Sequence, residues 1–352
     1  MSCRSFPRMN QNRVLGIALG LYVFLSAGLA YVTIKRHIGK DYSTLDISSM
    51  HLEGVRLARG ENPYARILQG NMRENQKYPT YFPVIYLCSA ALSLTAGPRY
   101  RDFQLLWSPV CVLSHFAIGL LLLYALGRRC GTLYGVLAAI FWALGRWPLA
   151  AMTGEFPDPP AILVFGLSLV TYQRRPRTAC LLFGLSLAIK HLALFVSPLY
   201  LIWEYHRGDR EDAWQRVIVA LLLVMAIPAI LSLPFVLWGP EGFARSIMFS
   251  GTRLAMDSVG AGSIDARIGV EGPLARIPLL LMMFLLYGMT FRGVLKFWGS
   301  ATLCLAIFLA FNSVFFPVYF CWLMFLVPLA VVEWMDQKPG AAANRSPAPD
   351  MA

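Results

Sequence analysis

Runs of apolar residues, each closed by glycine, proline or charge, recur along the chain. They fall at about 13–33, 80–98, 104–126, 131–150, 160–173, 178–190, 193–204, 215–238, 276–292, 295–312 and 315–334. Several approach the roughly 20 residues that a helix needs to cross a bilayer. The pattern predicts an all-α integral membrane protein, a polytopic helical bundle with residues 13–335 as one membrane domain. A cytoplasmic tail, 1–12, precedes it, and an Ala/Pro-rich tail, 336–352, predicted to be disordered, follows. Some runs are too short to cross alone. The pair 178–190 and 193–204 is interrupted by Lys190-His191, and ionisable residues at that depth belong at an interface or against a polar cavity.

Two polar segments, 34–79 and 239–275, are long enough to carry chemistry, and the other connectors are short. In the first, Met50, Gly54 and Leu57 share a face at helical spacing between Asp46 and Arg59, which predicts a short helix on the membrane surface. Gly60 would end it, and Asn62-Pro63 would turn the chain. The second segment is Gly-rich and reads as a mobile loop carrying Asp257, Asp265, Arg267 and Glu271. No internal repeat is visible.

Composition agrees with the pattern: of 352 residues, 57% are hydrophobic and 14% charged, against about 25% charged in soluble domains. The net charge of +12 raises the question of nucleic acid. The basic residues, however, stand in clusters between apolar runs (Arg128-Arg129, Arg174-Arg175-Arg177, His206-Arg207 with Arg210), a topological signal that excludes a nucleic-acid surface. Seven scattered cysteines support neither a zinc site nor a disulfide framework. The run from Val14 to Ile34 ends at Lys35-Arg36 without a small-residue cleavage site, so it is expected to stay as the first span. The positive-inside rule places the N-terminus, the Arg174–Arg177 turn and the 204–214 connector in the cytoplasm and both polar segments outside. It also wants Arg128-Arg129 inside, which requires that either 80–98 or 104–126 enters without crossing.

Asp46 is followed fourteen positions later by Gly60-Glu61-Asn62-Pro63-Tyr64, and then by Tyr78-Pro79-Thr80-Tyr81-Phe82-Pro83 at the head of the next apolar run. This arrangement resembles glycosyltransferase family 87, the polyprenyl-phosphate-mannose-dependent mannosyltransferases of the C-type membrane superfamily. Gly154-Glu155-Phe156-Pro157-Asp158-Pro159 and the glycine-led stretch Gly184 to Lys190-His191 extend the likeness to about residue 205. The chain departs from the family pattern at Thr80, Glu155 and His191, and matches its late segment only loosely at Asn312–Tyr319.

The resemblance implies a C-type helical bundle that transfers a sugar, with mannose as a candidate, from a polyprenyl-phosphate donor to a lipid or glycan acceptor. Such a reaction uses the lipid-linked donor as substrate and implies no cofactor and no metal. A phosphate leaving group needs its charge neutralised more than it needs an acid. What remains is to deprotonate an acceptor hydroxyl opposite the leaving group, which a carboxylate within hydrogen-bond reach can do, typically contributing ~10²–10⁴-fold. Asp46 is the expected base, with inversion of the sugar; Asp41 is its rival. Lys190, with His191 beside it, would meet the donor phosphate as a compact charge with three donors. Tyr64 and Tyr78 would anchor the first outer segment at headgroup level. Glu155 and Asp158, at a Pro-rich break on the outer side, would bind sugar hydroxyls, and Arg253, Arg267 and Arg276 could close over the phosphate. Two other classes stay open: a transporter or flippase of lipid-linked substrates, and a membrane scaffold without catalysis. Transporters often show paired half-repeats with broken helices, a symmetry this sequence lacks.

Overall fold

A chain in lipid must satisfy its backbone polar groups within each segment, and the apolar runs accordingly fold as helices. The computed structural model describes residues 11–37, 45–70, 78–252, 276–312 and 315–336, with isolated positions between 264 and 274, and its regular elements there are all helical. In chain order they are α1 (Gln11–His37), α2 (Leu45–Ala58), α3 (Val84–Ala96), α4 (Tyr100–Cys130) and α5 (Thr132–Ala143). Then come α6 (Arg146–Thr153), α7 (Asp158–Thr171), α8 (Pro176–Ile189), α9 (Ser197–His206) and α10 (Ala213–Trp238). The last are α11 (Pro240–Thr252), α12 (Ile277–Phe291), α13 (Phe297–Phe311) and α14 (Phe320–Asp336). Short 3-10 turns occupy Pro63–Leu68, His191–Val196 and Pro317–Tyr319.

Among the described residues, three helical segments are long and apolar enough to cross a membrane: α4, α10 and Pro317–Met335, which contains most of α14. The pair α5–α6, bent by 51°, makes a fourth if it is one span. Large apolar side chains such as Phe24, Leu237 and Phe284 are 70–76% exposed, an arrangement that lipid favours and water does not. The helices pack around a core of buried aromatics, including Trp142, Phe165, Phe183, Tyr200 and Trp322.

Helix directions follow from contacts. Ser168 Oγ, late in α7, donates to Ala179 O, early in α8, at 2.6 Å, and Ser186 Oγ, late in α8, donates to Ala161 O at 2.9 Å, so the two are antiparallel. α4 runs parallel to α7: Trp107 Nε1 donates to Glu155 O just before α7, and Leu121 lies over Gly166. Arg128-Arg129 therefore lie at the same end of the bundle as the Arg174–Arg177 turn. Tyr81, just before α3, bonds to Asp46, and Pro98 O, just after it, meets His51 Nε2 at 3.0 Å, so both ends of this 13-residue helix lie against α2. At 13 residues α3 is among the shorter apolar helices, whereas α4 is long and apolar enough to cross.

Two expectations are corrected. The run 131–150 is broken at Leu144-Gly145, because Pro148 lacks the N–H that a continuous helix needs and its ring would strike the Leu144 carbonyl. The segment 239–275 is not a loop throughout. Its first third is α11, opened by Pro240 with Glu241 in its first turn, which pairs with Arg245 at 2.7 Å. Phe243 and Ile247 turn inward one helical turn apart, and Gly242 lets α11 close on the Tyr64 backbone, where a Cβ would lie 2.7 Å from the carbonyl oxygen. The remainder of that segment lies almost wholly outside the described residues, as do the tails 1–10 and 337–352. In the first polar segment the expected short helix is present: α2 spans Leu45–Ala58, and Gly60 takes the left-handed conformation at φ +80, while His51 and Glu53 on it are buried along with Met50.

Candidate functional site

At the end of the bundle occupied by α2, four distant stretches converge on one tyrosine. Asp46 sits half-buried in the first turn of α2, where the helix amides favour an anion. Tyr81 OH donates to Asp46 Oδ2 at 2.8 Å. The tyrosine is fixed through its backbone: Tyr64 OH donates to Tyr81 O at 2.8 Å, and Tyr81 N donates to Tyr86 OH at 3.3 Å. Burial first, and then the Asp46 carboxylate, push the Tyr81 phenol well above its ordinary pKa, so it stays protonated and remains a donor.

Over the Tyr81 ring lies Lys190. The chain leaves α8 there in extended conformation, φ −150, before the 3-10 turn His191–Val196, and this break points the ammonium inward. Lys190 Nζ donates to Asp158 Oδ2 at 2.6 Å, and Trp322 Nε1 donates to Asp158 Oδ1 at 2.8 Å. The ammonium also lies 5.6 Å from the Tyr81 ring centroid and 4.9 Å from that of Tyr319. His191 packs against Phe82 and Tyr81, with centroids 5.9 and 6.2 Å apart, and its buried Nδ1 has no hydrogen-bond partner among the described residues. Asp46, Lys190, His191 and Asp158 thus form one cluster, joined by Tyr81 and closed by Tyr319 and Trp322.

The other expected residues lie elsewhere or act differently. Asp158 faces Lys190 and Trp322 and is fully buried, so it does not stand open to a sugar as expected. Glu155 is likewise enclosed: it adopts φ +56, and its carboxylate accepts from Tyr100 OH at 3.1 Å, Gln104 Nε2 at 3.3 Å and Ser108 Oγ. It ties α4 to the α6–α7 junction. Tyr64 and Tyr78 are buried in protein and are not headgroup anchors. Tyr64 packs edge-on against Tyr86, Phe235 and Phe243, and Tyr78 packs against Phe249 under the Arg66 guanidinium, 5.5 Å from its ring. Their surroundings come from α10 and α11, which a local reading of the first segment does not contain. Asp41 and Arg253 lie outside the described residues; Arg267 is exposed, and Arg276 is half-buried at the head of α12.

Tyr81, Tyr319 and Trp322 were not singled out by the sequence. Tyr81 stands inside the quoted Tyr78–Pro83 string, where its proline neighbours hinted at a fixed turn; nothing local marks Trp322.

What these observations define is an α-helical protein with, among the described residues, three to four helices long and apolar enough to span a membrane and a buried, charged cluster at the end that α2 covers. No family model, curated protein or solved structure matches the chain.

Proposed function

We propose that the chain is a membrane glycosyltransferase of C-type architecture that moves a sugar from a polyprenyl-phosphate donor to a lipid or glycan acceptor. Mannose is the first donor sugar to test. The observation that carries this reading is the convergence on Tyr81 of a half-buried carboxylate, Asp46, at its hydroxyl and a buried ammonium, Lys190, over its ring. Asp46 would take the proton of the acceptor hydroxyl, which displaces the Tyr81 hydroxyl from the carboxylate. The acceptor oxygen then forms the new bond to the anomeric carbon as the bond to phosphate breaks and the phosphate leaves with its electron pair. A single displacement inverts the anomeric centre. Lys190, held by Asp158, would offset the charge on the leaving phosphate with its remaining N–H donors. By the positive-inside rule the arginine-rich end and the N-terminus are cytoplasmic, and the Asp46 cluster faces the outer side of the cell membrane.

The test is reconstitution of the protein in lipid with labelled polyprenyl-phosphate mannose and a membrane glycolipid extract, comparing wild type with Asp46→Asn. Label should move to new lipid species in the wild type and fall by at least ~10²-fold in the variant. Absence of transfer by the wild type would sink the reading. A second reading, a transporter of lipid-linked substrates, draws on the buried Lys190–Asp158 pair, since ionisable residues among apolar helices often mark a transport path. Label crossing sealed vesicles without chemical change would favour it.

A further inference from the structure

At the arginine-rich end, remote from the Asp46 cluster, a cleft of about 210 Å³ opens between the first turns of α8 and α10 and the last turn of α9. That volume equals roughly seven waters at ~30 Å³ each in the liquid, enough for a phosphate group and the atoms bonded to it. Its floor is apolar, with Val219 and Leu223, and its rim carries Arg177, Arg207 and Arg216 against Glu204 and Asp212. Glu204 is already matched, since Arg207 holds its two oxygens through contacts of 2.9, 3.1 and 3.2 Å. Arg216 gives two of its five N–H donors to backbone carbonyls, Nε to Glu204 O at 3.2 Å and Nη2 to Asp209 O at 2.6 Å, which fixes the guanidinium at the rim and leaves its Nη1 donors for a ligand, with no bond to a carboxylate among the described residues. Arg177 is exposed and makes no ion pair among the described residues.

Two helix N-termini add to this field. α8 and α10 run parallel, close enough that a Cβ on Gly184 would lie 2.4 Å from the Val224 carbonyl oxygen, and both begin at the cleft. Their first-turn amides carry partial positive charge, and the α10 cap residue Asp212 makes no side-chain bond to them. The flank of α10 beside the cleft is built for lipid, with Trp214, Ile218 and Leu222 exposed, and a tryptophan at that height marks a membrane interface. Cationic rim, apolar floor and lipid-facing flank together match one kind of ligand, an amphiphile with an anionic head.

We propose that this cleft binds the phosphate-bearing headgroup of an anionic phospholipid, with Arg177 and Arg216 on the phosphate and the acyl chains leaving over Val219 and Leu223 along α10. Basic pockets between helices at a membrane surface take such headgroups, and the assignment is independent of any sugar-transfer activity.

The experiment titrates the purified full-length protein, in a non-ionic maltoside micelle, with phosphatidylglycerol, with phosphatidylcholine of the same chains, and with inorganic phosphate. Thermal unfolding and native mass spectrometry read the binding. Phosphatidylglycerol should raise the wild-type Tm and remain bound, and Arg177→Gln and Arg216→Gln should each raise its half-saturating mole fraction roughly five-fold, the factor expected per basic residue near an anionic headgroup. Arg177 is exposed, so its variant tests the site even if Arg216→Gln folds poorly. Arg174→Gln removes an exposed arginine beside the cleft and should leave binding unchanged. An equal response to phosphatidylcholine overturns the proposal, as does equal weakening by Arg174→Gln, which would mean general surface charge. A full shift produced by inorganic phosphate alone also overturns it, making the cleft a site for a soluble anion.

Discussion

Asp158→Asn isolates the charge of the buried pair with little change of shape. Lys190 is 2% exposed and Asp158 0% exposed, and a 2.6 Å bond joins them. Asparagine keeps the volume and can still accept from Trp322 Nε1, so the variant loses charge and almost no packing. It leaves an ammonium facing the Tyr81 and Tyr319 rings at 5.6 and 4.9 Å with no counter-ion bonded to it. Cation–π contacts of ~0.5–2 kcal/mol each are present before and after the change and therefore do not offset it. Breaking one side of a buried pair costs about 3–5 kcal/mol. Lys190→Met strands the carboxylate instead and should cost a similar amount. The double variant leaves no bare charge, and should be less destabilised than the sum of the singles by about 2 kcal/mol or more. Unfolding of the four proteins in one micelle, by denaturant or heat, measures the cycle. Single variants each costing under ~1 kcal/mol, with additive effects, would refute a buried ion pair here.

Tyr81→Phe removes a hydrogen bond to a carboxylate, and should destabilise by about 1.5–3 kcal/mol in the same unfolding assay; no change would mean that Asp46 is held by other partners. Gly54→Ala drives a Cβ to 2.1 Å from Ser89 Oγ and 2.8 Å from the Ser89 backbone carbon, and overpacking of this kind costs about 1–3 kcal/mol. Adding Ser89→Ala should recover only part of that loss, because the backbone contact stays; full recovery would show that the helices can shift apart. Burial holds the His51 pKa below its ordinary 6.5 despite the bond to Pro98 O. The folded state therefore binds this proton less readily than the unfolded one, and stability should fall as pH drops below about 6.5. His51→Gln should flatten that slope between about pH 7 and 5, and an identical slope in the variant would assign it to other groups.

The sequence disclosed what depends on neighbours in the chain. Met50, Gly54 and Leu57 marked the inner face of α2, Gly60 marked its end, and Lys190-His191 marked the interruption after α8, because each signal is local. The break at Gly145 was equally local, but an apolar run on both sides hid it, and Pro148 had to outweigh hydropathy. α11 was masked by its glycines, one of which serves close packing and not flexibility. The partners in the cluster were beyond reach for a different reason. Trp322 meets Asp158 only because α14 folds back against α7, and Tyr64 is buried only because α10 and α11 cover it. Burial of that kind is a property of topology, so an aromatic at a loop reads equally well as a lipid anchor.

The charges in the cluster also separate the two functional readings. Counted as ions, Asp46 and Asp158 against Lys190 leave the site negative, a poor starting point for a phosphate that carries negative charge itself. If the pair stays intact, Lys190 meets the donor only with the N–H groups that Asp158 does not occupy, and the field of the paired carboxylate weakens its pull. An enzyme can work this way, because the charge it must stabilise grows as the leaving group departs and modest ground-state attraction is no handicap. A transporter that uses Lys190 to carry the phosphate has to break the pair in each cycle, against the ~3–5 kcal/mol that opposes separation. Asp158→Asn therefore separates the two readings. It frees the ammonium and tightens ground-state binding of the donor in both cases, but it slows release, and with it transport, while leaving the Asp46 proton transfer in place.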